Sequence, residues 1–162
     1  MRVAIISDTH MDGGRRRLPD RCVELIQQSD LALHAGDIMS IEALAEIEAI
    51  GTPLRAITGN MDGWELRDRL PGELELELEG TRVAMLHDAG PAAGRLARMR
   101  KRFPKADAVV FGHSHLPLHE RDGGFQIFNP GSPTERRKAP RHSMGRATIE
   151  GGSLEFEIVT LS

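Results

Sequence analysis

The sequence predicts an α/β fold with a parallel sheet in its first half and antiparallel strands in its second half. Up to Pro71, short apolar runs rich in β-branched residues alternate with segments of helical periodicity, as in the strand–helix–strand crossovers of a parallel sheet. Residues 73–79 then alternate strictly between glutamate and leucine, which is typical of a strand with one buried and one solvated face. With 162 residues, 40% of them hydrophobic and 28% charged, the chain is expected to form one domain covering residues 1–162.

The first half contains three predicted strands and two predicted helices. Its strands are short and almost uncharged, which indicates burial within a sheet. Its helices have apolar residues three or four positions apart, and Ser40 is in the position of an N-cap. In chain order the elements are a strand at Val3–Ile6, a helix at Leu18–Gln28, a strand at Leu31–Ala35, a helix from Ile41 to Gly51 and a strand at Pro53–Thr58.

The second half is predicted to contain a hairpin, a basic helix and several further strands. Gly80 separates the alternating strand Glu73–Glu79 from its partner Thr81–Leu86, and a helical pattern follows over Pro91–Phe103. Ala108–Phe111 is another short apolar run of the buried-strand type. The C-terminal third is predicted to form short antiparallel strands at Leu118–Arg121, Phe125–Phe128, Arg146–Glu150 and Leu154–Leu161, with a basic loop at Glu135–His142 that is expected to be mobile.

Five of the predicted strands end in side chains that commonly bind metal ions. In the first, Asp8 and His10 are two residues apart, so in extended backbone their side chains point the same way, toward one place beyond the strand. The carboxyl ends of parallel strands are where open α/β sheets bind ligands. Aspartate, asparagine or histidine occurs at each of these ends, and the full set is Asp8, His10, Asp37, Asn60, His87, His113 and His115.

Seven ligand-type side chains are more than one tetrahedral ion uses, and they suit two ions that share a carboxylate. Two divalent ions about 3.5–4 Å apart bind a hydroxide between them and clamp a transferring phosphoryl group. Imidazole, carboxylate and amide donors without thiolate fit manganese, iron, zinc, cobalt and nickel. The pattern therefore predicts a site for two divalent ions.

The order of these motifs resembles that of the calcineurin-like metallophosphoesterases. The matching stretches are Asp8-x-His10, Gly36-Asp37, Gly59-Asn60-x-Asp62, His87 and Gly112-His113-x-His115. The short chain and the stretch Asn129-Pro130-Gly131-Ser132 are similar to the compact bacterial and archaeal phosphodiesterase branch of that superfamily. Each stretch alone is a weak signal, whereas five of them in order, within residues 8–132, are specific.

The resemblance implies a fold, a reaction and a ligand set. The fold is an α/β sandwich of two mixed β-sheets packed face to face and flanked by helices. One ion is held by Asp8, His10, Asp37 and His115, and the other by Asp37, Asn60, His87 and His113, so that Asp37 bridges them. Asp37, Asn60 and His87 are assigned to catalysis, in which a metal-bridging hydroxide attacks a phosphodiester in line. Manganese is the first candidate for both ions.

Two positions depart from the family pattern and bear on protonation of the leaving group. Small relatives often carry a polar or thiol residue between the Asn and the Asp of the third motif, where this chain has Met61. The family commonly has His-Gly-His at the fourth motif, where this chain has His87-Asp88-Ala89 and lacks the second imidazole. General acid catalysis is typically worth about 10²–10⁴-fold, so we expect aryl phosphoesters with good leaving groups to be preferred over alkyl ones.

The remaining histidines and two acidic residues have separate expectations. His34, His119 and His142 are expected to be structural or surface residues, because none of them belongs to the motif series. Asp62 and Asp88 follow candidate ligands closely and are candidates for orienting a ligand imidazole from behind.

Two other functions stay open at the level of the sequence. A phosphomonoesterase, such as a protein or nucleotide phosphatase, would use the same centre, and the basic residues Arg136–Lys138 and Arg141 would grip a terminal phosphate. A non-catalytic interaction module is the other alternative, since the superfamily includes binding-only relatives such as a retromer subunit. The complete ligand set argues against the module, because a scaffold has no need of seven such groups at strand ends.

Composition narrows the partners and the compartment. The net charge of −3 argues against a protein that wraps nucleic acid or sits on anionic lipid, and it leaves room for a small phosphoester substrate. The single cysteine, Cys22, forms no internal disulfide and is expected to be an inert buried thiol, which fits a reducing compartment. The N-terminal apolar run is too short for a signal peptide or a membrane span, so a cytoplasmic location is expected. Free sheet edges leave a homo-oligomer open.

Overall fold

Two five-stranded mixed sheets pack face to face in the computed structural model, which describes residues 1–161. The strands are β1 (Arg2–Ile6), β2 (Leu31–His34), β3 (Leu54–Ala56), β4 (Glu73–Leu78), β5 (Thr81–Leu86), β6 (Ala108–Val110), β7 (Leu118–Asp122), β8 (Phe125–Asn129), β9 (Ser143–Glu150) and β10 (Ser153–Thr160). The helices are α1 (Asp20–Gln27), α2 (Ile41–Glu48), α3 (Trp64–Arg69) and α4 (Arg95–Arg102). The first sheet has the order β10-β9-β1-β2-β3, and the second has the order β4-β5-β6-β8-β7.

Parallel pairing gathers strand ends at one edge of each sheet. In the first sheet β1, β2 and β3 are parallel neighbours, and in the second sheet β5, β6 and β8 are parallel neighbours. The loops that follow these strands contact one another across the two sheets. For example, the Ser132 hydroxyl after β8 donates to the main-chain oxygen of Asp8 after β1 at 2.8 Å. The candidate ligands therefore lie where the carboxyl ends of strands from both sheets meet.

The core between the sheets is built from inward-facing side chains of both. Ile5 and Leu33 of the first sheet lie in one buried cluster with Met85, Val110 and Phe128 of the second. Separate buried clusters join the outer face of the first sheet to α1 and α2, and the outer face of the second sheet to α4. Helices thus cover the faces of the sheets that point away from the central core. This arrangement confirms the predicted α/β sandwich of two mixed sheets.

The C-terminal strands divide between the two sheets. The hairpin of β9 and β10 joins the first sheet by antiparallel pairing of β9 with β1. Strand β8, which the sequence predicts as antiparallel, pairs antiparallel with β7 on one side and parallel with β6 on the other. The C-terminal hairpin therefore extends the sheet that contains the first strand.

Two further local predictions differ from the structure. Helix α3 is missing from the predicted elements because its six residues include one buried side chain, Leu66, and so show no apolar periodicity. Helix α4 begins at Arg95 rather than Pro91, since Gly94 before it adopts a left-handed φ of 71°. The segment 135–142, for which a mobile loop is expected, contains a turn in which Arg136 and the buried Ala139 exchange two hydrogen bonds of 2.8 Å.

The structure also describes the single cysteine and the length of the helices. Cys22 lies in α1 and is fully buried, and this burial raises the pKa of its thiol to about 12. The thiol is therefore protonated and shielded at neutral pH, which agrees with an inert packed cysteine. Over residues 1–161, every helix is too short or too polar to cross a membrane.

Candidate metal centre

The loops that carry the predicted ligands have strained backbone. Five of the seven predicted ligands have a positive φ angle: Asp8 (55°), His10 (45°), Asp37 (60°), His113 (72°) and His115 (63°). Left-handed backbone costs on the order of 1 kcal/mol or more for a residue with a Cβ atom. Hydrogen bonds between loops hold this conformation, for example from the main-chain N–H of His10 to the oxygen of Asp37 at 3.0 Å. Backbone strain concentrated in this way is a feature of functional sites.

A first group of ligand atoms is formed by Asp8, His10 and His115. Their nearest carboxylate and imidazole atoms all lie within 4.8 Å of one another, and all three residues are buried. The Oδ1 atom of Asp8 lies 3.9 Å from Nε2 of His10 and 3.5 Å from Nε2 of His115. These three residues belong to the set that the sequence assigns to one ion.

A second group consists of Asp8, Asp37 and His87, again with ligand atoms within 4.8 Å of one another. The Nε2 atom of His87 lies 3.7 Å from Oδ1 of Asp8 and 3.2 Å from Oδ2 of Asp37. The same Oδ2 atom lies 3.4 Å from Nε2 of His10. Asp8 belongs to both groups, and Oδ2 of Asp37 lies near the Nε2 atoms of both His10 and His87.

Four of these buried ligand atoms are unpartnered. Among residues 1–161, Oδ1 of Asp8 and the Nε2 atoms of His10, His87 and His115 are buried without a hydrogen-bond partner. A buried polar atom without a partner costs roughly 1–3 kcal/mol, and native proteins have few of them. Convergent carboxylate and imidazole atoms of this kind fit a divalent metal ion. These residues therefore fit a metal centre.

The other polar atoms of the same side chains are held by neighbours. The Nδ1 atom of His87 lies 2.7 Å from the Ala35 carbonyl oxygen, and Nδ1 of His115 contacts the Glu135 carbonyl oxygen. A carbonyl oxygen only accepts, so each Nδ1 carries a proton, and Nε2 is the atom left to bind a metal when the ring is neutral. The contacts of these two imidazoles thus favour the tautomer that binds a metal through Nε2.

Asn60 and His113 form a neighbouring pair on the open side of the centre. The Oδ1 atom of Asn60 lies 3.0 Å from Nδ1 of His113, and both side chains are exposed. The His113 ring packs edge-on against the His87 ring, with centroids 5.3 Å apart. The Asn60 loop also reaches the centre, since the N–H of Met61 donates to Oδ1 of Asp37 at 2.9 Å. Five of the seven predicted residues thus lie in the two buried groups, and Asn60 and His113 lie beside these groups on the exposed side.

Asp62 and Asp88 have different surroundings. The Asp88 carboxylate lies 3.8 Å from Nε2 of His113, so it faces a candidate ligand as predicted. The Asp62 carboxylate does not face an imidazole. It accepts the main-chain N–H groups of Asp37, Met39 and Gly59 at 2.8–3.0 Å. Asp62 therefore ties the loop after β2 to the loop after β3.

The segment from Asn129 to Glu135 is hydrogen-bonded to the loops that carry the candidate ligands. The Asn129 amide donates to the Gly112 carbonyl oxygen at 3.0 Å, and the Thr134 hydroxyl donates to the Thr9 carbonyl oxygen at 2.6 Å. The motif Asn129-Pro130-Gly131-Ser132 is the sequence signal for this segment. Sequence reasoning missed Glu135, whose carboxylate contacts His10. The residues around Glu135 contain no signal for that contact.

The electrostatics of the centre follow from packed carboxylates and imidazoles. For Asp37, burial raises the pKa, but the contacts with His10 and His87 lower it by a larger amount. The pKa is therefore held well below its usual range, and the group is ionised. For His10, burial lowers the pKa, but the carboxylates of Asp37 and Asp8 raise it to about 9. The pKa of His87 is raised in the same way, whereas burial lowers the pKa of His115. Metal binding to His10 and His87 therefore has to displace protons.

His34 is buried beneath the centre and keeps a neutral ring. Its Nδ1 atom accepts the Gly36 N–H at 3.1 Å, so the proton is on Nε2, which lies 3.0 Å from the Thr9 hydroxyl. Burial lowers the pKa of this imidazole from 6.5 to about 3. His34 is thus structural, as predicted, and it supports the two loops that carry Asp8 and Asp37.

His34 is expected to make the metal-free protein sensitive to acid. Between pH 6.5 and about 3 the unfolded chain binds a proton at His34 that the folded chain does not bind, so the free energy of unfolding falls as the pH falls through this window. Replacing His34 with glutamine removes this difference in proton binding between the folded and unfolded chains. In urea unfolding with EDTA at neutral pH and at about pH 4.5, the variant should lose less stability than the wild type. Equal losses in both proteins would contradict the assignment.

Comparison with known proteins identifies relatives along nearly the whole chain. A family model described as the calcineurin-like phosphoesterase superfamily domain matches residues 1–152. A probable metallophosphoesterase from Methanothermobacter thermautotrophicus is 32% identical over 165 residues, covering 98% of this chain and 92% of the relative.

Two solved structures illustrate the shared fold. An archaeal phosphodiesterase aligns with a TM-score of 0.73 and 20% identity, covering 98% of this chain and 100% of the other. Vps29 from Entamoeba histolytica, solved in complex with Zn²⁺, aligns with a TM-score of 0.78 and 19% identity, covering 99% of each chain. At these identities the likeness extends to the architecture of two mixed sheets.

Proposed function

The chain belongs to the calcineurin-like phosphoesterase superfamily, and on that premise we propose that it is a metal-dependent phosphodiesterase with two divalent ions. The observation that carries the proposal is the convergence of four unpartnered buried atoms, Oδ1 of Asp8 and Nε2 of His10, His87 and His115, around the ionised Asp37 carboxylate. Metal ions at this point would satisfy all of these atoms at once.

The ligand set we propose keeps Asp37 as the shared ligand. Asp8, His10 and His115 would hold one ion together with Asp37, and Asn60, His87 and His113 would hold the other together with Asp37. When bound, such ions supply Lewis-acid activation of water near neutral pH and offset charge on the phosphoryl oxygens. Oxygen and imidazole donors without thiolate fit manganese, iron, zinc, cobalt and nickel, and manganese is our first choice for both ions.

The surroundings of the centre favour a diester as substrate. A cleft of about 570 Å³ opens beside His10 and is lined by Arg15 and Arg16. A second cleft, of about 440 Å³, opens beside Asn60 and His87 and is lined by Arg67. A phosphodiester has two substituents on the reacting phosphate, and the two clefts offer room for one on each side. The exposed pair Asn60 and His113 lies on the side from which the phosphate would approach.

The test is a comparison of two p-nitrophenyl substrates with added Mn²⁺. We expect bis-p-nitrophenyl phosphate to be hydrolysed faster than p-nitrophenyl phosphate, with activity lost in EDTA and restored by Mn²⁺. The opposite preference would favour the phosphomonoesterase, in which Arg137 beside the centre would grip a terminal phosphate. Absence of tight divalent-metal binding in calorimetry would favour a non-catalytic interaction module, an alternative that the Vps29 fold permits.

A steep dependence on the leaving group is expected within the diester class. The Met61 side chain is 50% exposed beside Asn60 but has no proton to donate, and Ala89 occupies the position of the second imidazole of the fourth motif. Without a general acid, an unsubstituted phenyl ester should be slower than the matching p-nitrophenyl ester by on the order of 10²-fold or more in kcat/KM. Similar kcat/KM values for the two esters would show that another group protonates the leaving oxygen.

A further inference from the structure

We propose that Glu135 is a positioning residue that fixes the orientation of both histidines of the first group, His10 and His115. Its main-chain oxygen would hold one imidazole and its carboxylate the other, from the side opposite the centre. The inference rests on the proposed function, because it concerns how these imidazoles are presented to a metal ion. A ligand imidazole needs an acceptor for the N–H that faces away from the metal, and removing that acceptor weakens metal binding.

The contact with His115 is made by the main chain. The carbonyl oxygen of Glu135 accepts from Nδ1 of His115, whose side chain is fully buried. This leaves Nε2 of His115 facing Oδ1 of Asp8. Because the contact uses the backbone, it persists in any substitution of Glu135 that keeps the turn.

The contact with His10 is made by the carboxylate. Oε2 of Glu135 lies 3.6 Å from Nδ1 of His10, slightly beyond hydrogen-bond distance, and 3.9 Å from Nδ1 of His115. Within residues 1–161 this oxygen is buried and has no hydrogen-bond partner. A His10 ring that binds metal through Nε2 carries its proton on Nδ1, which then needs an acceptor. The unpartnered oxygen of Glu135 and the Nδ1–H of His10 therefore complement each other, and a small side-chain rotation completes the hydrogen bond.

The surroundings hold the carboxylate of Glu135 in place. Its side chain is 28% exposed, and Arg16 and Arg137 approach it at 3.6 and 3.7 Å from two sides. The main-chain N–H of Glu135 donates to the Ser132 hydroxyl at 2.8 Å, and that hydroxyl donates to the Asp8 carbonyl oxygen. Glu135 is thus tied to the loop that carries Asp8 and His10.

Zinc titration of metal-free protein by calorimetry tests the role of the carboxylate. Glu135→Gln is expected to weaken Zn²⁺ binding roughly 10–100-fold, since it removes the charged acceptor behind a ligand imidazole. Glu155→Gln is the matched control, because Glu155 makes an exposed ion pair of 3.7 Å with Arg121, the same length as the Glu135–Arg137 pair. Wild-type affinity in Glu135→Gln would overturn the proposal, and a wild type that binds no Zn²⁺ would overturn the proposed function with it.

A proton NMR measurement separates positioning from general damage to the fold. In the Zn²⁺-loaded wild type, the Nδ1–H protons of both His10 and His115 should be protected and visible downfield. In Glu135→Gln the His10 signal should shift or exchange away while the His115 signal, held by the main chain, stays. Loss of both signals together would show only local unfolding and would overturn the proposal. If the variant does not fold, the Zn²⁺-loaded wild type alone still tests the proposal. Absence of a protected His10 Nδ1–H signal in that protein would overturn the proposal.

Discussion

Replacement of Asp37 by asparagine is expected to lower kcat/KM for bis-p-nitrophenyl phosphate by on the order of 10³-fold. The Oδ2 atom of Asp37 lies 3.4 Å from Nε2 of His10 and 3.2 Å from Nε2 of His87, so it contacts one imidazole of each group. The low pKa of this carboxyl group, which results from those contacts outweighing burial, keeps it charged across the neutral range. Asparagine has nearly the same shape, but it cannot supply the charge that two divalent ions would share.

The substitution should lower both metal affinity and the stability of the metal-free protein. Oδ1 of Asp37 accepts the Met61 N–H at 2.9 Å, and the carbonyl oxygen of an asparagine amide can keep that hydrogen bond. The metal-free variant should still melt below the wild type at neutral pH, because it lacks the carboxylate that stabilises the protonated imidazoles of His10 and His87, and its affinity for Mn²⁺ should fall. Asp122→Asn is the matched control, since Asp122 is exposed and pairs with Arg100. Hydrolysis at the wild-type rate by Asp37→Asn would remove Asp37 as the bridging ligand.

The positions of the candidate ligands could be predicted because they depend on local rules. Short buried strands and right-handed crossovers send the residues after each parallel strand to one edge of the sheet, whatever the details of packing. Strict alternation likewise predicts a hairpin strand with one solvated face at Glu73–Glu79, and the pairing of β4 with β5 agrees. Helix α3 was missed because a six-residue element with one buried side chain has no periodicity to detect.

The supporting contacts could not be predicted because they join residues that are distant in the chain. Asp62 binds three main-chain N–H groups, two of which lie more than 20 positions earlier, and Glu135 reaches His10 across 125 positions of the sequence. A motif fixes which residues are present, but the partner of a buried carboxylate is decided by how two loops pack. The same holds for the pairing of β9 with β1, which joins the two ends of the chain.

Gly59→Ala is expected to be strongly destabilising and to abolish metal binding. A Cβ atom at Gly59 would lie 2.1 Å from Oδ1 of Asp37 and 2.6 Å from its main-chain nitrogen, and neither distance is compatible with van der Waals contact. Relief by a shift of Gly59 is opposed on both sides, because its N–H donates to Asp62 at 2.8 Å and its carbonyl oxygen accepts from Arg67 at 3.1 Å. The Asp37 loop would have to move instead, and with it the carboxylate shared by both histidine groups.

The expected loss is about 3 kcal/mol in the free energy of unfolding of the metal-free protein, the upper part of the range for overpacking. Gly72→Ala is the matched control, since a Cβ atom at Gly72 meets nothing within 4 Å, and its stability should stay within about 0.5 kcal/mol of the wild type. Urea unfolding of the three proteins in EDTA, followed by Mn²⁺ titration of each, gives both quantities. If Gly59→Ala unfolded like the control and bound Mn²⁺ normally, the close approach of the Asn60 and Asp37 loops would not be what holds the shared carboxylate in place.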